Sequence, residues 1–194
     1  MPEHNSEAYK RAIADEVQKL LILIGEDSTR SGLVETPERV AKAWHDEFFA
    51  GYRQDPADIF KTFEVEVKTR DLVIVRDLPF QSHCEHHIAP FHGTVDIAYL
   101  PDQKVLGLSK FQRLVDIFAH RLQIQERLTG QIADALVEGV HPQGVMVVVR
   151  ADHTCMTCRG VRAIGATTLT SAIRGTFEED SDLRHEALML VEGK

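Results

Sequence analysis

Three cysteines in 194 residues are too few, and odd in number, for a disulfide framework, and a reducing compartment leaves such thiols for metal binding or chemistry. Long apolar runs are missing too. The longest unbroken aliphatic stretch, Leu20 to Ile24, falls far short of the roughly 18 residues a membrane span needs. The first residues, Met1-Pro2-Glu3-His4, show neither a basic nor an apolar leader region, so the expected setting is the cytoplasm. A net charge of -8 leaves no basic excess; general nucleic-acid binding is thereby excluded, and an anionic ligand must be met by a local cluster. Internal repeats and low-complexity tracts are also lacking.

What is present is a chain 43% hydrophobic, enough for one well-buried core or one domain with a helical appendage. Ile13, Val17, Leu20, Leu21 and Ile24 recur at helical spacing, with Gly25 placed to stop a first helix. Thr36-Pro37, as N-cap and first-turn proline, opens a second helix carrying Val40, Trp44 and Phe48, which Gly51 ends. The period then becomes two. Phe63, Val65 and Val67 alternate with Glu64, Glu66 and Lys68, Leu72 to Val75 continues the strand signal, and Val95, Ile97 and Tyr99 form a second alternation stopped by Pro101. These segments are expected to pair antiparallel.

Ser109 to Gln112 forms a capping-box pattern before a third helix with Leu114, Val115, Phe118 and Leu122 as its stripe. A fourth helix carries Leu128, Ile132 and Leu136, with Gln125-Glu126 just before it. Val145 to Val149 is β-branched enough for a strand buried on both faces, and Leu188 to Val191 is a last strand candidate. Helices, strands, helices, then strands again predict an α+β fold, with residues 1–60 as an N-terminal helical segment and 61–194 as the main domain.

Cys84 and His87 stand three apart in a histidine-rich loop, and Cys155 and Cys158 repeat that spacing later. Sulfur mixed with nitrogen suits zinc. On spacing alone, C-x2-H plus C-x2-C describes a closed four-ligand structural site. If residues 153–159 are extended, His153, Cys155 and Arg159 share one face and Cys158 points away, leaving three ligands and a position for water. A tight turn at Met156-Thr157 would reverse that, so both readings stand. His86 beside His87, and His153 two residues from Cys155, are candidate proton carriers.

Lys110 and Arg113 share a face in the first turn of the helix that Ser109 opens. Two cations beside the positive end of a helix dipole are unfavourable unless an anion lies between them, which points to phosphate. Arg39 and Lys42 form a similar pair, and Arg159 follows the metal cysteines. Glu126 offers a carboxylate that can accept two hydrogen bonds from the edge of guanine, or can simply favour a helix N-terminus.

Ser82-His83-Cys84-Glu85-His86-His87, Gly107-Leu108-Ser109-Lys110, Gln123-Ile124-Gln125-Glu126-Arg127-Leu128-Thr129, His153-Thr154-Cys155 and Arg159-Gly160-Val161-Arg162 together resemble GTP cyclohydrolase I, strongest over residues 80 to 175 and reaching Thr36-Pro37-Glu38-Arg39. The resemblance implies a tunnelling fold, an antiparallel sheet with an inserted helix pair. It also implies assembly as a homodecamer of two pentameric rings, with active sites between subunits. By position it assigns zinc to Cys84, His87 and Cys155, with Cys158 a spectator, and proton transfer to His86 and His153. Ser109 is assigned to the ribose rearrangement, Lys110, Arg113, Arg159, Arg39 and Lys42 to the triphosphate, and Glu126 with Gln125 to the base. The implied reaction takes GTP and water to 7,8-dihydroneopterin triphosphate and formate. Leu122 stands where relatives often have proline. Two other readings compete: a GTP-binding scaffold whose zinc only staples the fold, and a sister tunnelling-fold enzyme acting on another purine or pterin.

Overall fold

The computed structural model describes residues 6–64 and 71–193, so Val65, Glu66, Val67 and Lys68 of the first expected alternation lie outside the described residues. The chain forms two compact units, Met1–Ala50 and Gly51–Lys194.

In the first unit, helix α1 (Ser6–Leu23) buries Ala14 and Val17. Gly25, at φ 92, ends it: its N–H donates to Ile22 O and that of Glu26 to Leu21 O, two bonds that satisfy the last carbonyls. Glycine is needed there because other residues resist positive φ. Helix α2 (Thr36–Ala43) has Pro37 buried in its first turn, but Glu35, not Thr36, occupies the N-cap position and makes no side-chain cap bond. The Glu35 carboxylate instead pairs with Arg39. A π-helical turn, Trp44–Phe48, continues α2.

The second unit is built on a five-stranded sheet. Its strands are β2 (Val73–Cys84), β3 (Pro90–Leu100), β5 (Leu122–Gln123), β6 (Gly144–His153) and β7 (Thr168–Gly175), in the order β5-β2-β3-β6-β7. Pairing is antiparallel from β2 through β7, and β5 adds parallel to β2. Strands β1 (Thr62–Glu64) and β4 (Lys104–Leu106) form a separate antiparallel pair. Helices α3 (Ser109–Ala119) and α4 (Gln125–Val140) enter between β3 and β6. With the helices, this is an α+β fold.

The two faces of the sheet explain the unbroken apolar run in β6. Val145, Val147 and Val149 join the core formed with Phe111, Leu114, Phe118, Leu128 and Ile132 of α3 and α4. Met146 and Val148 join a second core with Phe177, Ala187 and Val191 on the opposite face. Each such side chain stabilises the fold by roughly 2 kcal/mol. Close approach of β3 to β6 requires Gly93, where a Cβ would lie 1.8 Å from Arg150 O. Asp96, fully buried on β3, pairs with Arg150 and accepts the Asp77 N–H at 2.8 Å. That bond holds the irregularity in β2 between Val75 and Leu78, where Asp77 has φ 56.

Four further sequence expectations are corrected. Leu188 to Val191 is helical, within α7 (Ser181–Glu192), because Asp180 caps it by accepting from the Asp182 and Leu183 N–H groups while Ala187 and Val191 bury one face at i, i+4. Before it, α5 (Thr154–Thr157) and α6 (Thr176–Glu179) are single turns. The capping box at Ser109 does not form: Leu108 holds the N-cap position without a side-chain bond, and the Gln112 amide donates to Pro79 O and Asp116 Oδ1. Leu122 lies in β5, beyond the end of α3. Gln125 and Glu126 belong to the first turn of α4 and do not merely precede it.

Candidate metal centre

Strand β2 delivers Cys84 to the sheet end, where it is buried. A tight turn over residues 85–87 follows, in which the His87 and Ile88 N–H groups donate to Cys84 O at 3.4 and 2.9 Å and the Cys84 N–H donates to Ala89 O at 2.9 Å. Ile88 takes φ 54, a left-handed conformation costly for a β-branched residue. The turn folds His87 back over the cysteine, with Nδ1 3.9 Å from Cys84 Sγ.

The third donor arrives from β6. At its end α5 turns the chain, with the Cys158 N–H donating to Thr154 O at 2.9 Å and the Thr154 hydroxyl donating to Pro90 O at 2.6 Å. Cys84, His87 and Cys155 then present ligand atoms within 4.8 Å of one another. Bonds of about 2.0–2.3 Å to a tetrahedral zinc require donor separations of this order, and two thiolates with one imidazole are donors zinc takes. Burial pushes the Cys155 thiol's pKa up, the neighbouring Cys84 pushes it the same way, and Arg159 pulls it down by less. A cation bound beside the Cys155 sulfur would favour its thiolate and relieve that penalty.

The premise about Cys158 was wrong, since residues 154–157 are helical and not extended. Cys158 is nevertheless exposed and, among the described residues, is not part of the donor group.

His153 stacks on Phe91, with ring centroids 4.6 Å apart and planes 7° from parallel. Its pKa is lowered, foremost by burial, against the smaller opposing pull of Glu126 and Asp152. Its Nε2 lies 2.8 Å from Oε1 of Gln125, a side chain only 2% exposed. His86 is exposed and stands edge-on to His87 at 6.3 Å. Glu126 and Arg159 are exposed and close enough to act electrostatically on His153 and Cys155, respectively. Ser109, Lys110 and Arg113 sit at the start of α3; among the described residues no hydrogen bond or ion pair joins them to the donor group. Arg39 and Lys42 belong to the first unit, where both are exposed and Arg39 pairs with Glu35.

Two features had no signal in the sequence. Arg127 grips Glu85 Oε2 through Nη1 and Nη2 at 2.8 and 2.6 Å, and Gln125 reaches His153; these partners are 42 and 28 residues apart.

Sheet, inserted helices and donor group define an α+β protein with a candidate metal centre flanked by imidazoles. The family model described as GTP cyclohydrolase I matches residues 13–192. The GTP cyclohydrolase 1 of Thermobifida fusca is 51% identical over 180 residues, covering 92% of this chain and 86% of that protein. That of Corynebacterium aurimucosum is 53% identical over 178 residues, covering 90% and 89%. That of Geobacillus kaustophilus is 50% identical over 192 residues, covering 98% and 99%. The chain belongs to the GTP cyclohydrolase I family and is an enzyme of that family. Among the described residues no helix is long and apolar enough to cross a membrane.

Proposed function

We propose that the enzyme converts GTP and water to 7,8-dihydroneopterin triphosphate and formate, the entry reaction of pterin and tetrahydrofolate synthesis. The observation that carries this reading is the convergence of Cys84, His87 and Cys155, with His153 and Glu126 alongside. These three residues would hold zinc, which when bound would supply the Lewis acidity that makes a water nucleophilic near neutral pH. His86 and His153 move protons as guanine C8 is hydrated and the imidazole ring opens, releasing formate. The Glu126 carboxylate, exposed at the start of α4, accepts two hydrogen bonds from the guanine edge. Gln125 precedes it in the same turn. Ser109 assists the ribose rearrangement, and Lys110, Arg113, Arg159, Arg39 and Lys42 bind the triphosphate.

The same reading takes residues 61–194 as a tunnelling-fold catalytic domain preceded by a helical segment. It places the protein in the cytoplasm as a homodecamer of two five-membered rings with the sites between subunits. Zinc-loaded protein incubated with GTP is expected to release formate and a product that becomes a fluorescent pterin on oxidation; neither appearing would overturn the proposal. Light scattering should give the mass of ten 21.8 kDa chains.

A further inference from the structure

The Gln125 side chain is committed within its own chain. Its Nε2 donates to Val149 O at 3.0 Å and to Thr168 O at 3.1 Å, two carbonyls on the adjoining strands β6 and β7. An amide nitrogen has two hydrogens, and both have acceptors here. Rotating the amide by 180° would set its oxygen against two carbonyl oxygens, so the hydrogen-bond network fixes the orientation. Oε1 therefore faces His153, and because that oxygen only accepts, His153 Nε2 must be the donor.

We infer that Gln125 is a positioning residue that fixes the His153 ring with its Nε2–H directed at the Gln125 oxygen, so that Nδ1 is the ring nitrogen turned away from this bond. It deepens the proposed function, resting on the reading of His153 as a proton carrier, and gives the Gln125 side chain a role distinct from binding the base. Stacking on Phe91 fixes the ring plane while the Gln125 bond fixes rotation within it. Thr129 donates its hydroxyl to Gln125 O at 2.7 Å, and Thr129 Oγ1 lies 2.7 Å from Thr170 Oγ1, so the first turn of α4 is itself anchored to β7. A carrier whose tautomer and direction are set beforehand loses no time in unproductive orientations.

The test is nitrogen spectroscopy on the zinc-loaded full chain, labelled with 15N-histidine and observed as a sediment near pH 8, where imidazoles are largely neutral. The His153→Asn variant identifies the His153 signals. Expected is a protonated Nε2 and an unprotonated Nδ1; a proton on Nδ1 overturns the inference, and this measurement requires no change at Gln125. In Gln125→Met, which keeps length without hydrogen bonds, kcat should fall at least tenfold with KM for GTP within about threefold, and the His153 signals should show both tautomers. A raised KM with kcat kept would return the side chain to base binding, and unchanged kinetics would make it a bystander. Should the wild type turn over no GTP, the proposed function fails, while the tautomer remains readable and is judged by the spectrum alone.

Discussion

At the scale of single residues, the two late cysteines are expected to behave differently. Cys158→Ser should keep one zinc per chain, whereas Cys155→Ser should lose it, measured by elemental analysis of purified protein; zinc loss from the first variant would restore the closed four-ligand site. The C-x2-H and C-x2-C spacings were legible in the sequence, but spacing and strand parity did not exclude Cys158; only the family resemblance did. The exclusion depends on a single helical turn, residues 154–157, where strand parity has no meaning. Gln125 was legible as a residue near a helix start and, by resemblance, as a partner of the base, but its contact with His153 was not, because its three partners come from β6 and the beginning of β7.

Tyr99 offers a pH-dependent outcome. Burial raises its phenol's pKa above the ordinary value near 10, outweighing the opposite effect of the Leu106 N–H, which donates to its oxygen at 3.3 Å. The unfolded chain ionises at the ordinary value and the folded one later. Stability from the neutral phenol is thus full below about pH 10 and is lost as pH climbs through the folded value. Tyr99→Phe should cost about 1 kcal/mol at neutral pH through the orphaned Leu106 N–H, yet show a shallower fall in Tm above pH 10. A slope equal to that of the wild type would refute this.

At the scale of elements, the Glu85–Arg127 pair ties the turn after β2 to the start of α4, and the Glu85 N–H adds a bond to Gln123 O at 3.0 Å. Both side chains are more than a third exposed, so the pair contributes little to global stability. Its effect is local: it steadies the turn that aims His87. Arg127→Met is therefore expected to leave Tm nearly unchanged while weakening zinc affinity roughly tenfold, measured by competition with a chromophoric chelator. Unchanged affinity would mean the turn holds its shape without the clamp. Helices α1 and α4 and strand β6 were readable because their apolar positions keep a clean period or an unbroken β-branched run. Strand β7 was not, since only Ala172 of it is buried and Thr168, Thr170 and Ser171 dilute the alternation. The C-terminal run Leu188–Val191 misled because four apolar residues in a row fit either a buried strand or a helix, and the Asp180 cap decides.

At the scale of the whole molecule, much of the α+β organisation followed from the order of periodic segments, while the split of the core between two sheet faces did not. That split depends on which helix returns to which side, information held in pairings such as Val147 with Ile97 and Ala172. Removing zinc with a chelator should lower Tm cooperatively, because a ligand bound only by the folded state at a hundredfold excess over its Kd adds about 2.7 kcal/mol. A Tm insensitive to the chelator would count against a bound metal. Cys84 ends β2 and Cys155 lies just past the end of β6, strands that β3 separates in the sheet. A metal joining them also ties a knot of chain connectivity: it closes a loop of roughly 70 residues holding both inserted helices, and by loop-closure entropy such a tie disfavours the unfolded ensemble by about 4 kcal/mol if it persists there. Metal that stays on the two thiolates during unfolding would speed refolding, by keeping the ends of β2 and β6 near one another.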